Sequence, residues 1–233
     1  MGFYYFDYTY FVYLIPAMIV TMIAQIRVKS AFQKYSRIAT ARNMTGAQAA
    51  EAVARFGGAN GVQVQRISGS LTDNFDPRNN TISLSDDVYS ASTIAAVGVA
   101  AHEAGHAIQN ATGYLPNKIR TALVPITNVA SNLGIPMVIF GLILPVQYDF
   151  VVTIGIALYS FAVLFQLITL PVEFNASFRA IKALDDAGIL YPDELEGAKS
   201  VLKAAAMTYL AASFAAIMNL LRLLTIANGR RRD

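Results

Sequence analysis

The sequence predicts a mainly α-helical membrane protein with a small β-hairpin, built on a bundle of three or four transmembrane helices. Of its 233 residues, 55% are hydrophobic and only 14% are charged, whereas charged residues make up about a quarter of an ordinary soluble domain. The apolar residues are concentrated in stretches long enough for an α-helix to cross a bilayer, which takes about 20 residues. The net charge of +3 is modest, so we expect no nucleic-acid partner. Cysteine is absent, which excludes a disulfide framework and a cysteine nucleophile.

Residues 1–26 are expected to form an N-terminal transmembrane anchor. Their apolar run opens with a cluster of aromatic residues and is followed at once by Arg27, Lys29 and Lys34. Aromatic residues mark a membrane interface, and cations mark the cytoplasmic side. A cleaved signal peptide would carry its positive charge before the apolar run. We therefore expect an uncleaved anchor with its amino terminus outside.

Residues 27–120 are expected to form a catalytic segment, which begins with a soluble helix and two short strands. Thr45 is a candidate N-cap, and the Ala-rich helix after it is expected to end at Gly57. Alternating apolar and polar residues at 62–67 and again at 81–85 flank a turn-rich segment. This pattern predicts a β-hairpin that leads into the next helix.

The stretch AHEAGHAIQ, residues 101–109, contains both histidines of the chain in the pattern H-E-x-x-H, which is the zincin signature. Residues four apart lie on one face of an α-helix, so His102 and His106 can bind the same Zn²⁺. Glu103 is rotated from His102 by about 100°. It can therefore serve as the general base for a zinc-activated water without being a ligand. The alternative is a pair of surface histidines that make ordinary hydrogen bonds.

This zincin-like catalytic helix is expected to begin near Ser90 or Ser92, to end near Gly113 and to pack on the transmembrane bundle. Its many alanines and glycines allow the backbones of two helices to approach closely. A glycine inside a helix costs about 1 kcal/mol relative to alanine. Gly105 is therefore expected to have a packing role.

Residues 121–170 contain two apolar stretches separated by the short segment VQYD, which predicts a transmembrane hairpin. The connecting segment contains no Lys or Arg, whereas the segment from Arg27 to Arg120 contains ten. By the positive-inside rule, the catalytic segment faces the cytoplasm and the VQYD turn lies outside.

A third zinc ligand has to be a carboxylate, because no further His and no Cys remains. Glu173 is the preferred candidate, since it follows Pro171 at the cytoplasmic end of the third transmembrane helix and is expected to open a new helix. The alternative for Glu173 is a residue that only complements the dipole of a helix N-terminus. Later acids fall in residues 185–197, DDAGILYPDELEG, which we expect to be a solvated linker. The other downstream candidates are Asp149, Asp185, Asp186, Asp193, Glu194 and Glu196.

Residues 171–200 are thus predicted to contain the third ligand and a linker, and residues 201–233 a membrane-embedded helix and a basic tail. If the last helix crosses the membrane, Arg230 to Arg232 lie outside, against the positive-inside rule. The sequence therefore leaves the orientation of this helix open.

Three longer strings, DPRNNTISLSDDVY, AAVGVAAHEAGHAIQ and LPVEFNASFRA, resemble the neutral zinc metallopeptidases of bacterial membranes (YugP-like). The resemblance covers the chain from about residue 27, and HEAGH followed far downstream by a glutamate is similar to the gluzincin arrangement. It implies one zinc ion per chain bound by His102, His106 and Glu173, with Glu103 as the base.

The resemblance also indicates what the rest of the site should contain. In related gluzincins an aspartate four residues after the third ligand orients a histidine. Here that position is Ser177, so Ser177 or Asn175 is expected to take this role. Such enzymes often stabilise the oxyanion with His, Tyr or Arg. No His remains, so Tyr209 is the candidate, with Arg179 as the second choice.

The spacing indicates where the reaction takes place. His106 lies about fifteen residues before the second transmembrane helix, and Glu173 directly follows the third. A metal that both residues bind is therefore expected at the cytoplasmic surface of the inner (plasma) membrane. We predict a multi-pass, membrane-embedded zinc endopeptidase whose substrate is a protein or peptide near that surface. The alternative is a zinc-binding membrane scaffold or assembly factor without proteolytic activity. Glu103 favours the enzyme, because a structural zinc site is closed by four protein ligands and needs no base.

Overall fold

The computed structural model describes residues 8–230 and divides the chain into two compact units. We call them the helical unit and the mixed unit. The helical unit comprises Met1–Ile23, Ile119–Thr169 and Tyr209–Asp233, and the mixed unit comprises Ala24–Lys118 and Leu170–Thr208. Residues 1–7 of the predicted anchor and residues 231–233 of the basic tail lie outside the described residues.

Seven helices and three strands follow one another along the described part of the chain. A π-helical turn, Tyr10–Leu14, leads into α1, and a 3₁₀ turn, Val146–Tyr148, precedes α6. The elements are α1 (Ile15–Tyr35), α2 (Gly46–Phe56), β1 (Gln63–Ile67), β2 (Asn74–Asp76), β3 (Thr81–Ser85), α3 (Asp86–Tyr89), α4 (Ile94–Ala111), α5 (Leu115–Ile143), α6 (Phe150–Asp186) and α7 (Pro192–Arg230).

Four helices within residues 8–230 are long and apolar enough to cross a membrane, namely α1, α5, α6 and α7, with the short turns that precede α1 and α6. They confirm the prediction of a mainly α-helical membrane protein with a small β element. Helix α5 contains Pro125 and Pro136 in its interior, and α6 contains Pro171. Membrane helices tolerate such prolines because neighbouring groups can satisfy the freed backbone carbonyls.

Inside the helical unit, α5, α6 and α7 meet in a small apolar core. Val138 of α5 and Val152 of α6 are buried there with Leu223 and Ala227 of α7. The hydroxyl group of Tyr159 accepts a hydrogen bond from the side-chain amide of Asn219 at 3.1 Å. A hydrogen bond of this kind joins two membrane helices that have little hydrophobic driving force to associate.

The end of α7 lies beside the end of α5 within the helical unit. Arg230 donates to the carbonyl oxygen of Gly141 at 2.6 Å and also to that of Leu144, at the C-terminal end of α5. About two turns before Arg230 in α7, Arg222 donates to Thr9 at 3.1 Å and lies 4.2 Å from the ring centre of Tyr10. The C-terminal ends of α5 and α7 are therefore neighbours, so these two helices run in the same direction.

The strands form a three-stranded sheet in the mixed unit, with the order β1-β3-β2. β3 is buried at every position and pairs antiparallel with β2 but parallel with β1. The predicted pairing of 62–67 with 81–85 in a hairpin is therefore wrong, because the antiparallel partner of β3 is β2. The segment between β1 and β3 is long enough to bring the chain back in the same direction. β2 has only three residues, too few to show an alternating pattern in the sequence.

Local signals placed two helices of the mixed unit well. Thr45 caps α2 in a reciprocal arrangement: Gln48 N donates to Thr45 Oγ1 at 3.3 Å, and Thr45 N donates to Gln48 Oε1 at 3.0 Å. Helix α4, which carries both histidines, begins after its N-cap Thr93 and ends shortly before Gly113, which has a φ of +66°. A left-handed glycine after the last turn is a common helix end.

Two expectations for residues 171–200 are wrong. No new helix opens at Glu173, because α6 continues without interruption through Pro171 to Asp186. Proline removes one backbone donor, a loss that a long apolar helix tolerates. The solvated linker is also shorter than expected, since only residues 187–191 separate α6 from α7, and Ile189 and Leu190 within it are buried.

The buried acid Glu194 fixes the start of α7. Its Oε2 atom accepts a hydrogen bond from the backbone nitrogen of Tyr191 at 2.8 Å, which is half of a capping box. Its Oε1 atom accepts another from the backbone nitrogen of Ala41 at 2.6 Å. One carboxylate therefore caps a helix and also holds the segment that follows α1.

We expect Glu194→Ala to lower the free energy of unfolding by about 1–3 kcal/mol, because it leaves two backbone donors without their acceptor. The matched control is Glu196→Ala, whose carboxylate makes an exposed ion pair with Lys199. Exposed ion pairs contribute little, so the control should unfold like the wild type. The measurement is urea unfolding in detergent, followed by circular dichroism. Equal losses in the two variants would contradict the anchoring role.

Candidate metal centre

Helix α4 supplies three of the predicted site residues, His102, Glu103 and His106, within five consecutive positions. The rings of His102 and His106 are 4.8 Å apart between centres and nearly perpendicular, at 83°. Glu103 follows His102 in the chain and is buried. The structure thus brings both imidazoles to one face, as the four-residue spacing predicts.

Helix α6 brings Glu173 to the two histidines. Glu173 Oε2 lies 3.2 Å from His102 Nε2 and 3.4 Å from His106 Nε2. One ligand atom from each of the three residues lies within 4.8 Å of the others. In the part of the chain that the structure describes, this is the one such group of histidines and acids.

The arrangement fits a zinc ion. Two ligand atoms that each lie about 2.0–2.1 Å from a tetrahedral zinc ion are about 3.3 Å from each other. The distances from Glu173 Oε2 to the Nε2 atoms of the two histidines are close to this value. The Glu173 side chain is only 3% exposed, and a buried carboxylate requires a positive partner or a metal. Two histidines and one glutamate are a ligand set of catalytic zinc sites, which keep a fourth position for water or substrate.

A backbone contact between α4 and α6 sets this geometry. A Cβ atom added to Gly105 would lie 2.3 Å from the carbonyl oxygen of Ala176. Gly105 is between the two histidines in sequence, and Ala176 is one turn after Glu173. The predicted packing role of Gly105 is therefore confirmed: its missing side chain lets the helix with the histidines meet the helix with the acid.

Ser177 lies beside the first histidine. Its hydroxyl oxygen is 3.1 Å from His102 Nδ1, on the ring edge opposite to the nitrogen that faces Glu173. The structure therefore brings Ser177 against the histidine that it is expected to orient. Its role in orienting His102 stays a prediction.

The second histidine contacts a residue that sequence reasoning missed, Gln109. Gln109 Oε1 lies 3.1 Å from His106 Nδ1. Its Nε2 atom donates to the carbonyl oxygen of Val172 at 2.7 Å and to Asn175 Oδ1 at 3.0 Å. The predicted residue Asn175 thus reaches the site through Gln109. A polar residue three positions after a ligand histidine, and so on the same helix face, was the available signal.

The two candidates for oxyanion stabilisation have different surroundings. Arg179 Nε donates to Asn175 Oδ1 at 2.7 Å, and its guanidinium lies 5.7 Å from the ring centre of Tyr114. Tyr209 belongs to the helical unit, whereas the histidines belong to the mixed unit. The catalytic role of either residue stays a prediction.

Comparison with known proteins agrees with this donor set. Residues 10–228 match the sequence profile of a family described as "putative neutral zinc metallopeptidase". The chain belongs to this family. It is also 40% identical over 222 residues to a protein of Bacillus subtilis (strain 168) named "Putative membrane protease YugP", an alignment that covers 94% of this chain and 98% of the relative. No solved structure matches the chain.

The family resemblance seen in the sequence motifs is therefore confirmed. Membership in a zinc metallopeptidase family implies zinc, and the grouped His102, His106 and Glu173 offer a suitable donor set. The four apolar helices and the membrane-protease relative together indicate association with a membrane.

We expect Gly105→Ala to weaken zinc binding by at least about tenfold, the lower end of what disturbing the support of a ligand costs. The added methyl group overlaps the Ala176 carbonyl, so α4 and α6 must separate and Glu173 must move away from the histidines. Gly98→Ala on the same helix is the control, because its Cβ would make an ordinary 3.5 Å contact with Ala198. Competition with a chelator measures both affinities. Wild-type affinity in Gly105→Ala would show that the helix contact does not control the metal centre.

Proposed function

We propose that the protein is a membrane-embedded, zinc-dependent endopeptidase that hydrolyses peptide bonds at the cytoplasmic surface of the plasma membrane. The observation that carries this proposal is the convergence of His102, His106 and Glu173, with the buried Glu103 next to His102 in the chain. The family of zinc metallopeptidases and the relative named as a membrane protease support it.

His102, His106 and Glu173 would hold one Zn²⁺ per chain. When bound, the ion supplies a Lewis acid that polarises the scissile carbonyl and lowers the pKa of a water molecule. The three side chains would orient it through two imidazole nitrogens and one carboxylate oxygen. The near-perpendicular rings and the burial of Glu173 restrict this donor set to one small volume.

Glu103 would move the proton. As general base, its carboxylate accepts a proton from the attacking water while the water oxygen bonds to the carbonyl carbon. As general acid, it then delivers this proton to the nitrogen of the leaving amine as the C–N bond breaks. A site without catalytic use needs no such residue, which is why Glu103 favours a peptidase over a scaffold.

The proposed substrate is the cytosolic segment of a membrane protein, or a peptide held close to the bilayer. Glu173 directly follows the third apolar stretch of the sequence, and the cations Arg27, Lys29 and Lys118 flank the apolar stretches around the catalytic segment. Phe174 and Phe178 are 41% and 63% exposed on the helix that carries Glu173. Exposed aromatic side chains one turn apart offer an apolar surface to a substrate or to the membrane interface.

We expect Glu103→Gln to reduce zinc-dependent peptide cleavage by about 10²–10⁴-fold, the contribution of general acid–base catalysis, while the zinc content stays that of the wild type. Glu173→Ala should lose both zinc and cleavage. The matched control is Glu51→Gln, an exposed acid on α2, which should behave like the wild type. The measurements are elemental analysis and cleavage of a mixed peptide library by purified protein in lipid nanodiscs.

The outcomes separate the two candidate functions. Zinc bound by the wild type without any cleavage would favour the membrane scaffold or assembly factor. Zinc retained in full by Glu173→Ala would refute the proposed third ligand. Cleavage at the wild-type rate in Glu103→Gln would contradict the role of Glu103 as the general base.

The proposed orientation can be tested cleanly because the chain has no cysteine. Asn60 in the mixed unit and Gln147 between α5 and α6 are exposed. We expect a membrane-impermeant maleimide to label Gln147→Cys in intact bacterial cells and to label Asn60→Cys only after lysis. The reverse labelling would place the catalytic segment outside the cell.

A further inference from the structure

Gln109 is fully buried, and its side-chain amide contacts His106 on one side and Val172 and Asn175 of α6 on the other. Buried amides are costly unless their donors and acceptors are paired. The oxygen and nitrogen of a side-chain amide are nearly equal in size. Which of the two faces a given neighbour therefore has to be derived from the hydrogen-bonding groups around the amide.

Arg179 determines the direction of the first amide. A guanidinium can only donate hydrogen bonds, and Arg179 Nε contacts the side chain of Asn175 at 2.7 Å. The oxygen of Asn175 must therefore face Arg179. The guanidinium is itself held near the ring of Tyr114.

Asn175 and Val172 determine the direction of the second amide. The oxygen of Asn175, fixed by Arg179, and the carbonyl oxygen of Val172 can only accept. Both face the same atom of Gln109, at 3.0 and 2.7 Å. That atom must be the nitrogen, so the oxygen of Gln109 faces His106.

The direction of Gln109 in turn determines the state of the ring of His106. An amide oxygen can only accept, so His106 Nδ1 must carry the hydrogen in the contact of 3.1 Å. In the neutral ring, Nε2 then keeps its lone pair. Nε2 is the atom that lies 3.4 Å from Glu173 Oε2, where a metal would bind.

We infer that Gln109 is a positioning residue, which fixes the His106 tautomer for metal binding and is itself aligned by Asn175 and Arg179. This inference rests on the proposed zinc site. In this inference, Asn175 and Arg179 align the side-chain amide of Gln109 and do not themselves contact a zinc ligand.

The first histidine differs, which provides an internal comparison. Its partner Ser177 carries a hydroxyl group, which can donate or accept. Ser177 therefore does not dictate which nitrogen of His102 carries the hydrogen. The position of the ring hydrogen is therefore fixed by the protein for His106 but not for His102.

The test compares zinc affinity and a spectroscopic signal across four variants and one control. We expect Gln109→Met to weaken zinc binding by about 10–100-fold and Asn175→Leu to act in the same direction. Asn175→Asp should stay close to the wild type, because one carboxylate oxygen can still accept from both Gln109 and Arg179. Ser177→Ala should have a smaller effect than Gln109→Met. Gln63→Met, at an exposed glutamine of β1, is the matched control and should change nothing.

The spectroscopic readout is the Nδ1–H signal of zinc-loaded protein labelled with ¹⁵N-histidine, which is simple because the chain has two histidines. A hydrogen-bonded, buried Nδ1–H of His106 should exchange slowly with water in the wild type and in Asn175→Asp. It should exchange fast in Gln109→Met and Asn175→Leu, whereas Ser177→Ala should alter only the signal of His102. A merely structural loss would not follow this pattern.

Two results would overturn the inference, and they are distinguishable from each other. If Gln109→Met and Asn175→Leu bind zinc like the wild type with an unchanged His106 signal, the positioning role is wrong and the zinc site stands. If the wild type itself binds no zinc, the proposed function and this inference both fail. Should Gln109→Met not fold, the contrast between Asn175→Leu and Asn175→Asp decides.

Discussion

The metal centre depends on one close backbone contact, the approach of Gly105 in α4 to the carbonyl of Ala176 in α6. A single helix can present two imidazoles but cannot supply the third ligand at the same point, so the acid has to arrive from another helix. Glu173 reaches the histidines only because the two backbones meet without a side chain between them. A donor set divided in this way forms only when the chain folds, which couples metal affinity to the packing of α4 against α6.

The features that sequence predicted correctly depend on local rules. The four-residue spacing of His102 and His106 fixes a common face for any α-helix, and the capping of α2 by Thr45 involves atoms only three residues apart. The prediction of Glu173 has a different basis. Because no further His and no Cys remains, the third ligand has to be a carboxylate. The position of Glu173 next to an apolar stretch favours this residue, and the gluzincin resemblance indicates the same one.

The features that sequence missed depend on distant partners. Strand β1 runs parallel to β3 because a long connection that contains β2 separates them. β2 itself is too short to show an alternating pattern in the sequence. Pro171 normally indicates a helix boundary, yet α6 continues through it. Gln109 looked like an ordinary polar residue, because its importance comes from Val172 and Asn175, which lie on another helix. Long-range contacts of this kind can be found only once the fold is known.

The contact of Arg230 with the end of α5 has a consequence for how the membrane helices are assembled. A guanidinium is costly to bring into an apolar bilayer unless it is paired, and Arg230 lies at the end of a long apolar helix. The carbonyl oxygens of Gly141 and Leu144 that accept its hydrogen bonds belong to a helix synthesised earlier. The negative end of the α5 dipole adds to the attraction. The acceptors are thus made before the cation, so the terminal arginine of α7 can be paired as soon as α7 packs against α5.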